Sequence, residues 1–261
     1  IARRDERGDE AAYLDLIING ELNYTLPNGR TTLFLTDLNT DKGLAAGVRQ
    51  SLGDLGRISA AGTFETREVW QDPYLVGVAR SRTDENSFGV SFGFEDILGT
   101  HFLFLSDIAT VDVDEDRIGD RVKSLRRDGV RSSHGIGYAI GLDENQQLTP
   151  MVRYLRSDME GDANSSDGYA LTIGYEWGRG PWGIEASAGV GWTKYRKDHP
   201  VYHKERRATS FDASAIVAYE EPFGWSHVSL YGLAAYNLVN ENIDFFDSSL
   251  WTFGLGLGYE F

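Results

Sequence analysis

Four short segments place a carboxylate directly after an aromatic side chain, just before a turn or the chain end. They are Gly93-Phe94-Glu95, Gly174-Tyr175-Glu176, Ala218-Tyr219-Glu220 and Gly258-Tyr259-Glu260. Neighbouring residues on a strand point to opposite faces, so an outward aromatic ring places each Glu on the inner face. A ring of carboxylates at one height of a channel favours cations. The open alternative is neutralisation by nearby arginines, namely Arg49, Arg57, Arg153 and Arg179.

The elements that must position these carboxylates are strands with one apolar face. Residues 251–261 alternate strictly between large apolar and small or polar side chains, with aromatic residues near both ends. A strand that crosses a bilayer needs about 9–11 residues with aromatic girdles at both interfaces. Similar segments are predicted at 13–26, 30–38, 43–52, 57–68, 85–95, 100–111, 131–142, 147–156, 168–177, 183–195, 206–220, 226–238 and 250–261. The sequence predicts an all-β chain, a single transmembrane antiparallel up-and-down β-barrel over residues 1–261.

The links between these segments alternate between short turns and longer polar loops, which indicates a periplasmic and an extracellular side. If Phe261 ends in the periplasm, counting back makes the first visible strand run inward, and residues 1–12 become the remnant of an extracellular loop. Bacterial single-chain barrels have even strand numbers. We therefore expect about fourteen strands, the first of them missing from this chain. Twelve strands is the alternative.

The predicted inner face is small or polar, which favours a pore. Barrels of about 8 strands are filled by side chains and those of about 16–18 leave an open channel, so loops should constrict a barrel of intermediate size. The first candidates for constriction are Trp70, Asp72, Pro73 and Tyr74. Candidates that line the pore and set its selectivity are Glu95, Glu176, Glu220, Glu260, Arg49, Arg153, Glu185 and Asp212.

Composition supports an envelope protein and limits its partners. The chain lacks cysteine, carries a formal charge of −15 and contains no apolar run long enough for a membrane helix. The negative charge disfavours nucleic acid and favours cations wherever it lines a pore. We expect a monomer in the bacterial outer membrane whose partners are membrane lipid, lipopolysaccharide and a small solute.

Two loop segments could bind ions. Asp112, Asp114 and Asp116 alternate ahead of Gly119, which resembles the start of a calcium loop but lacks its closing Glu. A Ca²⁺ or Mg²⁺ site in an outer loop is therefore one interpretation, and a solvated acidic loop neutralised by the basic stretch 121–131 is the other. No other cofactor is expected. The basic run 194–207 is placed to meet lipopolysaccharide phosphates at the outer rim.

Catalytic signatures are weak, so we predict that the chain is not an enzyme. Ser133-His134 and Ser226-His227 are sequence neighbours, and strand neighbours point to opposite faces. Two other functions compete with the pore: a structural or receptor barrel with a blocked lumen, and a barrel enzyme acting on lipid or peptide.

Several loop segments form a distinctive set. They are residues 70–74, 82–84, 96–100, 113–119, 198–200, 222–225 and 242–248, including Trp70-Gln71-Asp72-Pro73-Tyr74 and Asn242-Ile243-Asp244-Phe245-Phe246-Asp247-Ser248. Together they resemble an uncharacterised family of gammaproteobacterial outer-membrane proteins, known only as a domain of unknown function. The resemblance implies an outer-membrane barrel with an additional N-terminal strand, and it implies no activity.

Overall fold

A computed structural model describes residues 20–37 and 42–259 of the chain. The predictions for residues 1–12 and for Glu260 lie outside these described residues. The strands are β1 (Glu21–Thr25), β2 (Thr31–Asp37), β3 (Lys42–Ser51), β4 (Arg57–Trp70), β5 (Arg82–Glu95), β6 (Phe102–Val113), β7 (Gly129–Tyr138), β8 (Ile140–Asp143), β9 (Gln146–Met159), β10 (Ser166–Arg179), β11 (Trp182–His199), β12 (Lys204–Glu220), β13 (Val228–Glu241) and β14 (Ser248–Tyr259). One short helix, α1, spans Arg117–Arg121.

The strands form one 14-stranded antiparallel sheet in which sequence neighbours pair in order. The predicted all-β, up-and-down architecture is therefore confirmed. The expected strand 131–142 is interrupted at Ala139, so β7 and β8 both pair with β9. The described residues thus contain fourteen strands rather than twelve, and β7 and β8 together form one of thirteen crossings.

The sheet is not closed, because β1 and β14 do not pair within the described residues. Both edge strands run towards the end of the sheet that carries the short turns. Two edges that run in the same direction cannot complete an antiparallel barrel by pairing directly. One strand of opposite direction between them would complete it, and the additional N-terminal strand stays a prediction.

The two faces of the sheet differ in side-chain size. Large apolar residues cover the outer face, where Val90 is 62% exposed and Leu255 is 94% exposed. The inner face carries small or polar residues, such as Ser91 and Ser187, on the paired strands. Gly189 shows why small residues are needed, because a Cβ there would lie 2.6 Å from an Asp212 carboxylate oxygen. The alternation thus leaves space on the inner face and an apolar surface outside.

The two ends of the sheet also differ. Six turns, from 26–30 to 221–227, form the short-turn end, and the links 71–81, 114–128, 160–165, 200–203 and 242–247 form the loop end. The predicted loop 196–205 is shorter than expected, because β11 and β12 continue to pair as far as His199 and Lys204 beyond a bulge. Among the described residues, no helix is long and apolar enough to cross a membrane.

Candidate functional site

An apolar cluster joins five links at the loop end of the sheet. Its buried members are Tyr74, Ile118, Leu125, Ala163 and His199, and the partly buried Val201, Tyr202, Phe245 and Phe246 pack against them. We call this set the loop cluster. The loops that follow β4 and β13 meet in the loop cluster. Because these strands are far apart in the sheet, this contact requires the sheet to curve strongly. The cluster lies across the loop end of the space that the inner face surrounds.

The centre of the loop cluster is a hydrogen bond of 2.9 Å between His199 Nε2 and the Tyr74 hydroxyl. The backbone N–H of Val201 donates to His199 Nδ1, so in the neutral ring Nε2 carries the proton and donates to Tyr74. Burial, followed by repulsion from Arg206, lowers the pKa of His199 to about 4. Burial raises the pKa of Tyr74. Both rings are therefore neutral at neutral pH.

A buried ion pair supports the loop cluster from the strands below it. The Arg206 guanidinium donates to both Glu241 carboxylate oxygens, at 2.6 and 2.9 Å, and both side chains are almost inaccessible. The same guanidinium lies 3.5 Å from the ring centre of Phe246 and 4.0 Å from that of Tyr195. The charge is thus held between an anion and two aromatic rings.

The structure divides the predicted constriction residues between two environments. Tyr74 and Asp72 are buried at the loop end, where Asp72 accepts from the Tyr74 backbone N–H at 2.9 Å and forms an ion pair with Arg121. Pro73 is half-buried and its carbonyl accepts from Arg80. Trp70 instead lies on the outer face, with the guanidiniums of Arg80 and Arg82 over its ring. Constriction of a pore by this loop stays a prediction.

The predicted acidic ring has three described members, and they differ in their partners. Glu95 forms an ion pair with Arg57 at 2.5 Å, as the alternative interpretation anticipated. Glu176 lies directly opposite Glu185 on the neighbouring strand, and both line a recess of about 480 Å³ at the short-turn end. Glu220 pairs in register with Ser229. Within the described residues, neither Glu176, Glu185 nor Glu220 forms an ion pair.

The other predicted lining residues are distributed along the inner wall, with Arg49 close to the short-turn end. Arg49 pairs with Glu21 at 3.0 Å, and its guanidinium lies over the Phe34 ring. Arg153 Nε contacts the Met151 sulfur at 3.3 Å. Asp212 lies opposite Gly189 and Asn237. These side chains share the inner face with the glutamates but do not converge on them.

The predicted metal residues are partly committed to protein contacts. Asp116 caps α1 by accepting from the Gly119 N–H, and it pairs with Arg127 at 2.7 Å. Asp114 accepts from Asn86 at 3.0 Å. In the part of the chain that the structure describes, no three His, Asp or Glu side chains are grouped to hold a metal ion.

Most of the basic side chains in the run 194–207 form ion pairs at the loop end of the sheet. Arg196 contacts Asp158 and Asp167, while Lys194 and Arg207 share Glu205. Sequence analysis missed the structural role of His199 in this run. The adjacent aromatic residues Phe245-Phe246 in an otherwise polar loop were the available sign of this cluster. Large aromatic side chains in a loop usually pack against other apolar residues.

The match to a family model covers residues 5–260, and the model is described as a protein of unknown function, DUF2860. The chain belongs to this family. The resemblance to an uncharacterised family is therefore confirmed at that level, and the match carries no information on membrane location or source. No curated protein matches the chain.

Proposed function

We propose that this family member is a narrow, cation-preferring channel for small solutes in the bacterial outer membrane. It acts as a monomeric single-domain barrel, with lipid and lipopolysaccharide around it. The observation that carries the proposal is the inversion of the two faces. Large apolar side chains such as Phe92 and Leu171 are exposed outside, while glycine, serine and charged residues face inwards. A soluble sheet would bury the apolar face instead.

The loop cluster makes the channel narrow at the loop end. Membrane strands of about 9–11 residues suffice to cross the bilayer, whereas β11 has 18 residues and β12 has 17. The surplus length lies towards the loop end and carries His199 and Arg206 above the apolar band. Solute must therefore pass the loop cluster, which is the gate of the proposed channel.

Cation preference arises at the short-turn end. Glu176 and Glu185 lie directly opposite each other on paired strands and carry like charges. Arg57 does not neutralise them, because it forms an ion pair with Glu95. Uncompensated carboxylates raise the local cation concentration, an effect that salt screens over about 8 Å at physiological ionic strength. The preference should therefore weaken as salt rises.

The test is the reversal potential of the channel in a planar bilayer under a KCl gradient. The variant Glu176→Gln/Glu185→Gln should shift the reversal potential towards zero with little change in conductance. The matched control is Asp96→Asn/Glu221→Gln, which removes two carboxylates from the turns at the same end. An equal shift in both variants, or no shift in either, would contradict selection by the inner wall.

A second candidate function is a surface receptor or structural barrel with a blocked lumen. The observation that favours it is the burial of Tyr74 and His199 across the loop end. Conductance separates the two functions. A protein that inserts into bilayers but conducts neither as the wild type nor as Tyr74→Ala would support the blocked barrel.

A further inference from the structure

A second recess, of about 420 Å³, lies on the inner wall between β6 and β11, on the loop side of the recess that Glu176 and Glu185 line. Ligand pockets usually enclose about 300–1,000 Å³, so this recess has room for one small molecule. Two neighbouring cross-strand rows form most of its floor. The first row is Arg131, Ser157, Ser166 and Tyr195, and the second is Ser133, Leu155, Gly168 and Thr193.

The floor of the recess carries hydroxyl groups that no protein group binds. Ser166 is only 7% exposed, and its hydroxyl oxygen still contacts the recess. A buried hydroxyl without a hydrogen bond costs free energy unless a ligand or water supplies the partner. The lining therefore calls for a ligand with several hydrogen-bonding groups. Within residues 20–37 and 42–259, the side-chain hydroxyls in these rows that lack a hydrogen-bond partner are those of Ser133, Ser157, Ser166, Thr193 and Tyr195.

Gly168 and Leu155 give the centre of the recess its depth and an apolar floor. A Cβ at Gly168 would lie 2.9 Å from the Trp192 carbonyl oxygen and 3.0 Å from Thr193 Oγ1, so no larger residue fits there. Leu155 pairs with Gly168 on the neighbouring strand and lines the same recess. An apolar centre with hydroxyl groups around it matches a pyranose ring, which has C–H groups on its face and hydroxyl groups on its edge.

The charged residues of the recess favour a neutral ligand. Arg131 is committed to Glu85, to which it donates at 2.7 Å. Asp107 is exposed and forms no ion pair with any described residue, and the charged groups that act on it are Arg153 and His134. A cationic ligand is opposed by Arg153 and an anionic ligand by Asp107, whereas the Asp107 carboxylate can accept strong hydrogen bonds from neutral hydroxyl groups.

We infer that this recess binds one neutral sugar in its pyranose form. The ring lies over Leu155 and Gly168, and Asp107 accepts hydrogen bonds from the hydroxyl groups of the sugar. The unpaired hydroxyls of the floor donate to or accept from the remaining ones, since each Ser, Thr or Tyr hydroxyl can do both.

The inference rests on the proposed function, because a solute reaches the inner wall through the lumen. A site inside a channel must also release its solute, so we expect weak and rapidly reversible binding. Binding does not require that the protein conduct ions. Sugar binding and bilayer conductance are measured separately, so the sugar site and the channel can fail separately.

The experiment is a titration of the folded full chain in detergent micelles, followed by saturation-transfer NMR of the ligand. The probes are D-glucose, D-galactose, D-mannose, cyclohexanol and L-alanine. Cyclohexanol keeps a six-membered ring but has a single hydroxyl group, so we expect at least one sugar to bind at least about tenfold more tightly than cyclohexanol. The inference is overturned if none of the sugars binds, or if cyclohexanol or L-alanine binds as tightly as the best sugar.

Three variants assign sugar binding to this recess. Asp107→Ala removes a charged acceptor at an exposed position and should weaken sugar binding at least about tenfold, whereas Ser166→Ala removes one neutral hydroxyl and should weaken it about two- to tenfold. Ser157→Leu fills the recess and should abolish binding. The matched control is Ser229→Ala, on the inner face of β13 at the short-turn end, which should bind like the wild type.

Unaltered sugar binding by both Asp107→Ala and Ser166→Ala would overturn the assignment, whether or not the bilayer recordings show a channel. A protein that binds sugar with this pattern but conducts no ions would support the site and contradict the channel alone.

Discussion

His199 and Tyr74 are hydrogen-bonded at 2.9 Å although 125 residues separate them in the chain. Their rings meet edge to face at a centroid distance of 5.0 Å, and His199 has no accessible surface. This contact joins the loop after β4 to the end of β11. It is therefore the point at which opposite parts of the curved sheet are held together.

Removal of the Tyr74 ring should open the loop end. Tyr74→Ala deletes a buried aromatic side chain, a change that usually costs about 3–5 kcal/mol. We expect this loss of packing energy to separate the loops locally and to leave the sheet folded, since the hydrogen bonds between strands do not involve Tyr74. Single-channel conductance in a planar bilayer should rise. Tyr74→Phe, which keeps the ring, should remain near the wild type, and equal conductance in all three proteins would show that the loop cluster is not the gate.

Acid should weaken the loop cluster. The pKa of His199 is lowered to about 4 from its ordinary value of 6.5, so the folded cluster favours the neutral ring. The contribution of the neutral His199 ring to the stability of the loop cluster is fully present above pH 6.5. It falls as the pH drops towards 4 and is lost below that pH. The loss is on the order of 3 kcal/mol.

Hydrogen exchange of the loop amides between pH 7 and pH 4, corrected for intrinsic rates, measures this effect. Exchange in residues 71–81 and 200–203 should accelerate relative to the strands. His199→Gln keeps a neutral donor at this position and should flatten the pH dependence. A dependence of unchanged size in His199→Gln would assign the effect to another group.

Breaking the buried ion pair should be costly. Arg206→Met leaves Glu241 buried without its partner, which typically costs about 3–5 kcal/mol, while replacing both residues by apolar ones is often neutral. Thermal denaturation in detergent should therefore rank Arg206→Met below Arg206→Met/Glu241→Leu. The reverse order would mean that the Phe246 and Tyr195 contacts, rather than the charge pair, hold Arg206.

Charged substitutions on the apolar outer face should show whether that face contacts lipid or water. Leu255 lies near the middle of β14 and is 94% exposed. Arg on a lipid face near the bilayer midplane costs about 2–4 kcal/mol, whereas it costs little in water. Leu255→Arg should therefore destabilise the protein in lipid bilayers far more than Thr252→Arg, which faces inwards. Comparable urea midpoints for the two variants would argue against a lipid-facing surface.

The sequence predicts the strands and their faces well, because period-two alternation is a local property. Phe88 and Leu257 are exposed on the outer face as the alternation requires. The interruption at Ala139 was missed, since nothing in Tyr138-Ala139-Ile140 breaks the apolar pattern. The partner of a charged residue depends on register, so the sequence alone left open whether Glu95 pairs with Arg57. The opposition of Glu176 and Glu185 follows only from the observed register.

The loop cluster could not be predicted, because its contacts join residues that share no periodic pattern. Tyr74 was predicted as a candidate for constriction, whereas no role was predicted for His199 within the basic run 194–207. Their contact depends on the curvature of the whole sheet, which no single segment encodes.

The apolar side chains of the loop cluster come from links that are far apart in the sequence. No link contributes more than a few large ones, and Tyr74, Leu125 and Phe246 come from three different links. If the protein inserts into a bilayer as proposed, no single link has to carry a large apolar segment across it. Because the cluster needs residues from five links, it can form only after the strands that carry those links have paired.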